Sequence, residues 1–158
     1  MKKSFSATFI LLFLIFLSGI KAQELNDNSG YDSTLAQKLG ADEYGMKQYV
    51  MAFLKRGPNR SQDSTQRAEI QEAHLKNIMR LAAEGKLIVA GPFLDDKNIR
   101  GIFIFNVESI DEAKKLTESD PAVKAGVLEM ELHPWYGPAI LPEVLKLNRK
   151  VEKKSITE

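Results

Sequence analysis

Two polar residues in this 158-residue chain have the chemistry and the predicted placement for acid–base work, and the first is His74. In helical projection His74 lies on one stripe with Ile70, Ile78 and Leu81, so its imidazole is predicted to face the interior. An imidazole that is desolvated and held in place can exchange protons near neutral pH. The alternative is a structural histidine whose ring binds a backbone carbonyl.

The second residue is Asp120, which stands directly before Pro121 at the start of a predicted short helical turn. Asp is a favoured N-cap residue, and Pro is favoured at the first helical position. A carboxylate at such a position can also orient an imidazole and fix its tautomer. The sequence leaves both interpretations open: Asp120 is either a cap alone or the partner of His74.

Four further residues are weaker candidates for lining a pocket. His133 and Trp135 lie at the end of a predicted strand, where a surface or interface role is the alternative for His133. Gly91 and Pro92 interrupt another predicted strand, as expected at a bulge or an edge. We expect the pocket to lie between helix and sheet or between two sheets.

The composition excludes several kinds of site. The chain has no cysteine, which excludes disulfides, thiolate nucleophiles and Cys-ligated metals. Its two histidines make a multi-histidine metal site improbable, and the glycine patterns of phosphate loops and the GxSxG motif of nucleophilic serines are absent. The formal net charge of +1 does not call for nucleic acid. We therefore expect no metal, no cofactor and no nucleic acid.

The elements that must position these residues follow the order β-α-β-β-α-β. Capping-box patterns at Asp63 and Ser109 open the two helices, and Gly85 ends the first. Strands are predicted over 47–54, 86–93, 101–107 and 127–135, and helices over 64–84 and 110–118. This order predicts an α+β, ferredoxin-like fold with two helices on one face of a four-stranded antiparallel sheet.

Both faces of that sheet are predicted to be apolar. Residues 49–54 and 102–105 carry apolar side chains at successive positions, whereas a sheet with one hydrated face alternates. The helices can cover one face, and a second copy of the chain is the simplest cover for the other. We therefore expect a homodimer through the sheet faces. Glu129, Glu131 and His133 then either line a pocket between the sheets or remain solvated.

Outside the domain predicted over 46–137, the two ends differ in character. Lys2 and Lys3 precede an apolar stretch over 5–20, too short to cross a bilayer, and small residues follow up to Ala22. We predict a signal peptide over 1–22 that is cleaved after Ala22. The mature protein is then expected in the periplasm or secreted from a bacterium, without a membrane anchor. The alternative is that the apolar stretch is retained as an N-terminal membrane anchor. Residues 23–45 form a polar leader, and 138–158 form a basic tail. The start of this tail has a marginal apolar face formed by Leu141, Val144, Leu145 and Leu147, and the remainder is expected to be solvated.

Several short motifs occur in an order that resembles a known family. They are His74, Glu84-Gly85-Lys86-Leu87, Ala90-Gly91-Pro92-Phe93, Asp120-Pro121-Ala122-Val123-Lys124-Ala125-Gly126 and His133-Pro134-Trp135. Over 46–136 the chain resembles the YciI-like, or YCII-related, family. The resemblance implies a ferredoxin-like fold that pairs into a dimeric α+β barrel, similar to muconolactone isomerases. It also implies a characteristic histidine and aspartate, here His74 and Asp120, and a few relatives act on chlorinated hydroxyquinol-type aromatics without a cofactor.

Two functions are compatible with these observations. In the first, His74 is a general base or acid oriented by Asp120, and the reaction is an isomerisation, elimination or related proton transfer on a small organic molecule. In the second, the same dimer is a non-catalytic small-molecule-binding or structural module, since fold alone does not decide function. A ring nitrogen of His74 within about 3 Å of an Asp120 oxygen, beside a cavity, would favour the enzyme.

Overall fold

The computed structural model describes residues 30–156. The predicted signal peptide and the leader up to position 29 lie outside the described residues. The chain divides into two units after Asp32, and every element below belongs to the unit that begins at Ser33. Within the described range, no helix combines the length and the apolar character needed to cross a bilayer.

The order of the elements confirms the predicted β-α-β-β-α-β pattern, with short helices added before, within and after it. The bounds are α1 Ser33–Leu39, β1 Met46–Arg56, α2 Ser64–Ala83, β2 Leu87–Pro92, β3 Ile99–Phe105, α3 Ile110–Glu118, α4 Pro121–Lys124, β4 Leu128–Pro138 and α5 Val144–Val151. The capping box at the start of α2 forms as expected: the Gln66 amide donates to Asp63, and the Asp63 amide donates to the Gln66 side chain.

The four strands form one antiparallel sheet in the order β2-β3-β1-β4, which confirms the ferredoxin-like fold. Val50 on the central strand β1 lies opposite Phe105 on β3 and opposite Pro134 on β4. Helices α2 and α3 cover the face to which Val50 points. Leu81 of α2 and Ala113 of α3 are buried there in one cluster with the strand residues Val50, Ala52, Leu54, Leu87, Phe103 and Phe105.

The second face of the sheet is apolar as predicted, but the chain itself covers part of it. Tyr49, Ile88 and Ile104 are buried there, and Leu141 from beyond β4 packs against them. The basic tail forms a 3₁₀ helix over Leu141–Glu143 and then α5, which contacts β2. The start of this segment thus packs on the sheet through Leu141, whereas α5 itself has no buried residue.

A close backbone contact fixes the loop after β1 against the turn after α4. A Cβ at Gly57 would lie 2.2 Å from the carbonyl oxygen of Gly126, so no larger residue fits there without a shift of the backbone. Gly126 has a φ of +67°, the left-handed conformation that glycine tolerates best. The Gly57 amide donates to Val127 and the Asn59 amide to Gly126, at 2.9 and 3.0 Å. These bonds hold the loop beside the segment that carries Asp120.

Candidate active site

His74 and Asp120 form a buried pair. Nδ1 of His74 lies 2.8 Å from Oδ2 and 3.0 Å from Oδ1 of Asp120. His74 comes from the middle of α2 and is 6% exposed; Asp120 precedes α4 and is 1% exposed. The two residues are 46 positions apart in the chain, and the packing of α4 against α2 brings them together.

Asp120 is both a cap and a partner of the histidine, so the two interpretations open in the sequence hold together. Its Oδ1 accepts the backbone N–H of Ala122 at 2.8 Å, and its Oδ2 accepts Nδ2 of Asn77 at 3.3 Å. Because these neighbours are donors and an ionised carboxylate can only accept, the bond to His74 requires the hydrogen on Nδ1. In the neutral ring, Nε2 is then a free acceptor.

Asn77 is a member of the site that the sequence reasoning missed. It lies three positions after His74 on the same face of α2 and is buried. Its Oδ1 accepts Nη2 of Arg80 at 2.8 Å, which leaves Nδ2 free to donate to Asp120. The only sequence feature that could have identified Asn77 is its position three residues after His74 on the same helical stripe. Nothing in the sequence shows that Asp120 packs against that helix.

A cavity of about 410 Å³ opens beside the imidazole, between α2 and the sheet. Its apolar wall is formed by Leu54, Leu75, Ile78, Phe103, Val127 and Leu128. Its polar side chains are Arg56, Arg60, Gln71, His74 and Arg100. The volume is in the range of small-molecule sites, in which apolar walls surround a few polar groups.

The imidazole is held from one side and open on the other. Its plane stacks on Phe103, with ring centroids 6.0 Å apart and 14° between the planes. No side chain or backbone group in the described part of the chain is hydrogen-bonded to Nε2, yet no fully buried side-chain nitrogen or oxygen there lacks a partner. Nε2 is therefore reachable from the cavity that His74 lines. This is the arrangement expected of a positioned base.

Of the four weaker candidates, Gly91 and Pro92 line the cavity and His133 and Trp135 do not. Side chains of a strand alternate between faces. In β4, Leu128, Met130 and Leu132 pack on the helix side, so the odd-numbered residues point to the second face. A role for His133 or Trp135 in this cavity is thus excluded by the parity of the strand.

On the second face, His133 belongs to a separate polar cluster. It lies 2.9 Å from Glu131, which also binds Lys55 at 2.9 Å, and it makes an edge contact with the ring of Phe53. The hydrogen bond from Lys55, followed by the one from His133, lowers the pKa of the Glu131 carboxyl. Trp135 packs on the ring of Tyr49 at a centroid distance of 5.8 Å.

The residues described also bear on metal binding. Among positions 30–156, no group of three or more His, Asp or Glu side chains is arranged to hold a metal ion. The polar side chains that converge on the cavity are three guanidinium groups, the Gln71 amide and the His74 imidazole.

Comparisons with known proteins place the chain in a family. The model of the YCII-related domain matches residues 49–136. The uncharacterized protein YjpA of Bacillus subtilis (strain 168) is 32% identical over 62 residues, which cover 39% of this chain and 71% of YjpA. One similar solved structure is the 5-chloro-2-hydroxyhydroquinone dehydrochlorinase TftG of Burkholderia phenoliruptrix AC1100, in complex with 2,5-dihydroxybenzoquinone. It is 31% identical with a TM-score of 0.40, and the match covers 54% of this chain and 92% of that chain. The family match spans more than half of the sequence and confirms the resemblance seen in its motifs: the chain belongs to the YCII-related family.

Proposed function

We propose that this YCII-related protein is an acid–base enzyme that acts on a small organic molecule in the cavity beside His74. The observation that carries the proposal is the buried pair itself: one ring nitrogen is fixed on the Asp120 carboxylate and the other is reachable from a cavity of about 410 Å³. A structural histidine bonded to a backbone carbonyl would not combine these two features.

The proposed reaction uses only groups of the chain. Nε2 of His74 removes a proton from a carbon or oxygen of the bound molecule, and the Asp120 carboxylate stabilises the imidazolium that forms. Return of the proton to another atom completes an isomerisation, and departure of a leaving group completes an elimination. Positioned proton transfer of this kind accelerates reactions by about 10²- to 10⁴-fold.

Proton transfer can be tested before the physiological substrate is known. A panel of small cyclic enols, phenols and ketones is incubated with the protein in D₂O, and exchange of carbon-bound hydrogen or loss of a leaving group is followed by ¹H NMR. We expect His74→Asn to reduce the rate by about 100-fold or more. His133→Asn is the matched control, since His133 lies on the other face of the sheet, away from the cavity. Its rate should be unchanged, provided that light scattering gives the same mass for this variant as for the wild type.

The alternative function predicts a different result. If compounds bind in the cavity but none exchanges or reacts faster than in buffer, and His74→Asn changes neither binding nor rate, the protein is a non-catalytic binding module. Equal losses in His74→Asn and His133→Asn would likewise contradict a specific role for the buried pair.

We also propose that the active form is a homodimer through the second face of the sheet. The C-terminal segment covers the region around Tyr49, whereas Met51, Phe53 and Ile102 remain only partly buried in the single chain. A second copy over this remainder would complete the burial. Light scattering should give twice the monomer mass, and Phe53→Glu should reduce it to one chain; a monomeric wild type would refute the dimer.

We propose export on the evidence of the sequence at positions 1–22, where a basic start, a short apolar stretch and small residues follow one another. The mature protein would begin at Gln23 and be periplasmic or secreted. Mass spectrometry of the protein recovered from a bacterial periplasm should give this start. Full-length protein in the membrane fraction would favour a retained anchor instead.

A further inference from the structure

The charged side chains that line the cavity are all basic. Three of its lining side chains are arginines, namely Arg56, Arg60 and Arg100, and none of the described lining residues is Asp or Glu. In a concave site with low-dielectric walls, charges of one sign concentrate the opposite charge. Apolar side chains and the Phe103 ring make up the rest of the wall. The cavity therefore has an apolar interior, in which a hydrocarbon group can bind, and a cationic edge formed by the three arginines.

An acidic side chain of the protein already occupies part of the cationic edge. Asp96, in the loop between β2 and β3, contacts Nη2 of Arg56 and lies 3.0 Å from Nη1 of Arg100. The Asp96 side chain is itself 88% exposed. A carboxylate that bridges two guanidinium groups while exposed to water is weakly held, so another carboxylate can replace it.

Arg60 adds a guanidinium that nothing in the described part of the chain binds. It is exposed on the loop that the Gly57–Gly126 contact fixes next to the start of β4. The planar fork of a guanidinium matches the two oxygens of a carboxylate. Arg60 is thus a free, positioned donor at the edge of the cavity.

The register of β3 sets the distance between the cationic edge and the imidazole. His74 stacks on Phe103, and Arg100 precedes Phe103 by three residues on the same strand. In a regular strand this spacing would place the two side chains on opposite faces, but the pairing of β1 with β3 shifts between Leu54 and Lys55, and the irregularity lies at Arg100. Arg100 accordingly lines the same cavity as Phe103. At about 3.3 Å per residue, the two strand positions are roughly 10 Å apart. A molecule with one ring and a carboxylate can extend over such a distance.

From these observations we infer that the ligand of the cavity is a small organic carboxylate. Its charged group binds Arg60 and Arg100, and its apolar ring lies along Phe103 toward Nε2 of His74. The inference rests on the proposed function in that both concern the same cavity, but it assigns the class of ligand and does not depend on turnover.

The probe is benzoate, with methyl benzoate and benzamide as neutral counterparts, titrated into the purified protein and followed by the amide NMR signals of Gly101 and Phe103. We expect benzoate to bind about 10-fold or more tightly than either neutral compound. Arg60→Gln and Arg100→Gln should each weaken benzoate about 10-fold and leave methyl benzoate unchanged. Arg149→Gln, which removes the same charge outside the cavity, should have no effect.

Asp96→Asn supplies a test with the opposite sign. It removes the carboxylate that competes for Arg56 and Arg100, so benzoate should bind more tightly, whereas a purely structural role of Asp96 would weaken binding. Asp95→Asn is the matched control. Asp95 lies on the same exposed loop but pairs with Lys97, so this substitution should not change the affinity for benzoate.

Three results would overturn the inference: equal affinity for benzoate and methyl benzoate, benzoate binding that ignores both arginine substitutions, or no binding of benzoate at all. His74→Asn distinguishes this inference from the proposed function. If the variant still prefers benzoate to methyl benzoate but the wild type transfers no proton, only the proposed function fails. If the wild type transfers protons but shows no preference for benzoate, only the inference about the ligand fails.

Discussion

Asn77 and His74 converge on the same oxygen, Oδ2 of Asp120, at 3.3 and 2.8 Å. Both side chains come from one face of α2, three residues apart, so the helix presents two donors to one carboxylate. The amide of Ala122 donates to the other oxygen. The orientation of the imidazole thus depends on a carboxylate that two other donors, Asn77 and the Ala122 amide, fix in place.

Replacing Asn77 by Ala should therefore destabilise the fold and loosen the imidazole. Asp120 loses one of three donors and Arg80 loses one of its three side-chain acceptors, and a hydrogen bond of this kind contributes about 1–2 kcal/mol. Urea unfolding should show this loss in the free energy of unfolding. Asn148→Ala, on the exposed side of α5, is the control, and equal stabilities of the two variants would contradict the assigned role.

The tautomer of His74 provides a second prediction. The donors around Asp120 require the hydrogen on Nδ1, so long-range ¹H–¹⁵N NMR should show neutral His74 with a protonated Nδ1 and an unprotonated Nε2. Asp120→Asn offers an amide that can also donate to the ring, so the Nε2-protonated form should gain population. His133 serves as the internal reference in both spectra. A His74 tautomer that does not respond to Asp120→Asn would show that the carboxylate does not fix it.

The contact at Gly57 predicts a large difference between two glycine substitutions. Gly57→Ala places a Cβ 2.2 Å from a backbone oxygen, which forces the loop and the Gly126 turn apart and should cost about 1–3 kcal/mol. Gly91→Ala meets nothing within 4 Å and should leave the melting temperature nearly unchanged. Similar melting temperatures for both variants would show that the loop can relax away from the turn.

The pair formed by Asp42 and Tyr136 predicts a loss of stability at high pH. The hydrogen bond with Asp42 raises the pKa of the Tyr136 hydroxyl to about 12, above its ordinary value of 10. A raised pKa in the folded state stabilises the fold below pH 10, and this contribution disappears as the pH rises toward 12. Thermal melts across this range should therefore show a steeper decline for the wild type than for Tyr136→Phe. Tyr49, whose pKa is raised by burial, is present in both proteins and cancels in the comparison.

The pair of Asp42 and Tyr136 also predicts a loss of stability at acidic pH. The hydrogen bond from Tyr136, followed by the one from the Met46 amide, lowers the pKa of Asp42. A lowered pKa stabilises the fold above the ordinary value of 3.8, and this contribution is lost as the pH falls below it. Asp42→Ala should thus reduce the dependence of stability on pH at the acidic end. An unchanged acid dependence in this variant would contradict the assignment.

The regular elements could be predicted because their signals are local. The capping box at Asp63, the N-cap at Ser109 and the left-handed Gly85 each depend on a few neighbouring residues, and the structure has all three. The helical stripe likewise predicted that His74 faces the sheet. Asp120 was recognised as a candidate because a carboxylate before Pro121 has two possible uses.

The remainder of the site depends on contacts between distant segments. The hydrogen bond between Asn77 and Asp120 forms because α4 packs on α2, and no local sequence pattern predicts this packing. The three arginines reach the cavity from the ends of two strands and one loop, and each taken alone has the sequence context of an ordinary surface residue. His133 and Trp135 do not line this cavity because their parity in β4 places them on the other face, where the pocket between two sheets stays a prediction.

The position of β1 in the sheet has a consequence for the order in which the chain folds. The central strand is the first to be synthesised, but its two neighbours β3 and β4 follow it by more than 40 residues, and the cover over Tyr49 comes from beyond β4. A chain that emerges from its N-terminus thus leaves both edges of β1 unpaired, and the face around Tyr49 uncovered, until β3, β4 and the segment beyond β4 are available. Nascent chains should therefore depend on a chaperone that shields residues 46–56, since unpaired apolar strands promote aggregation.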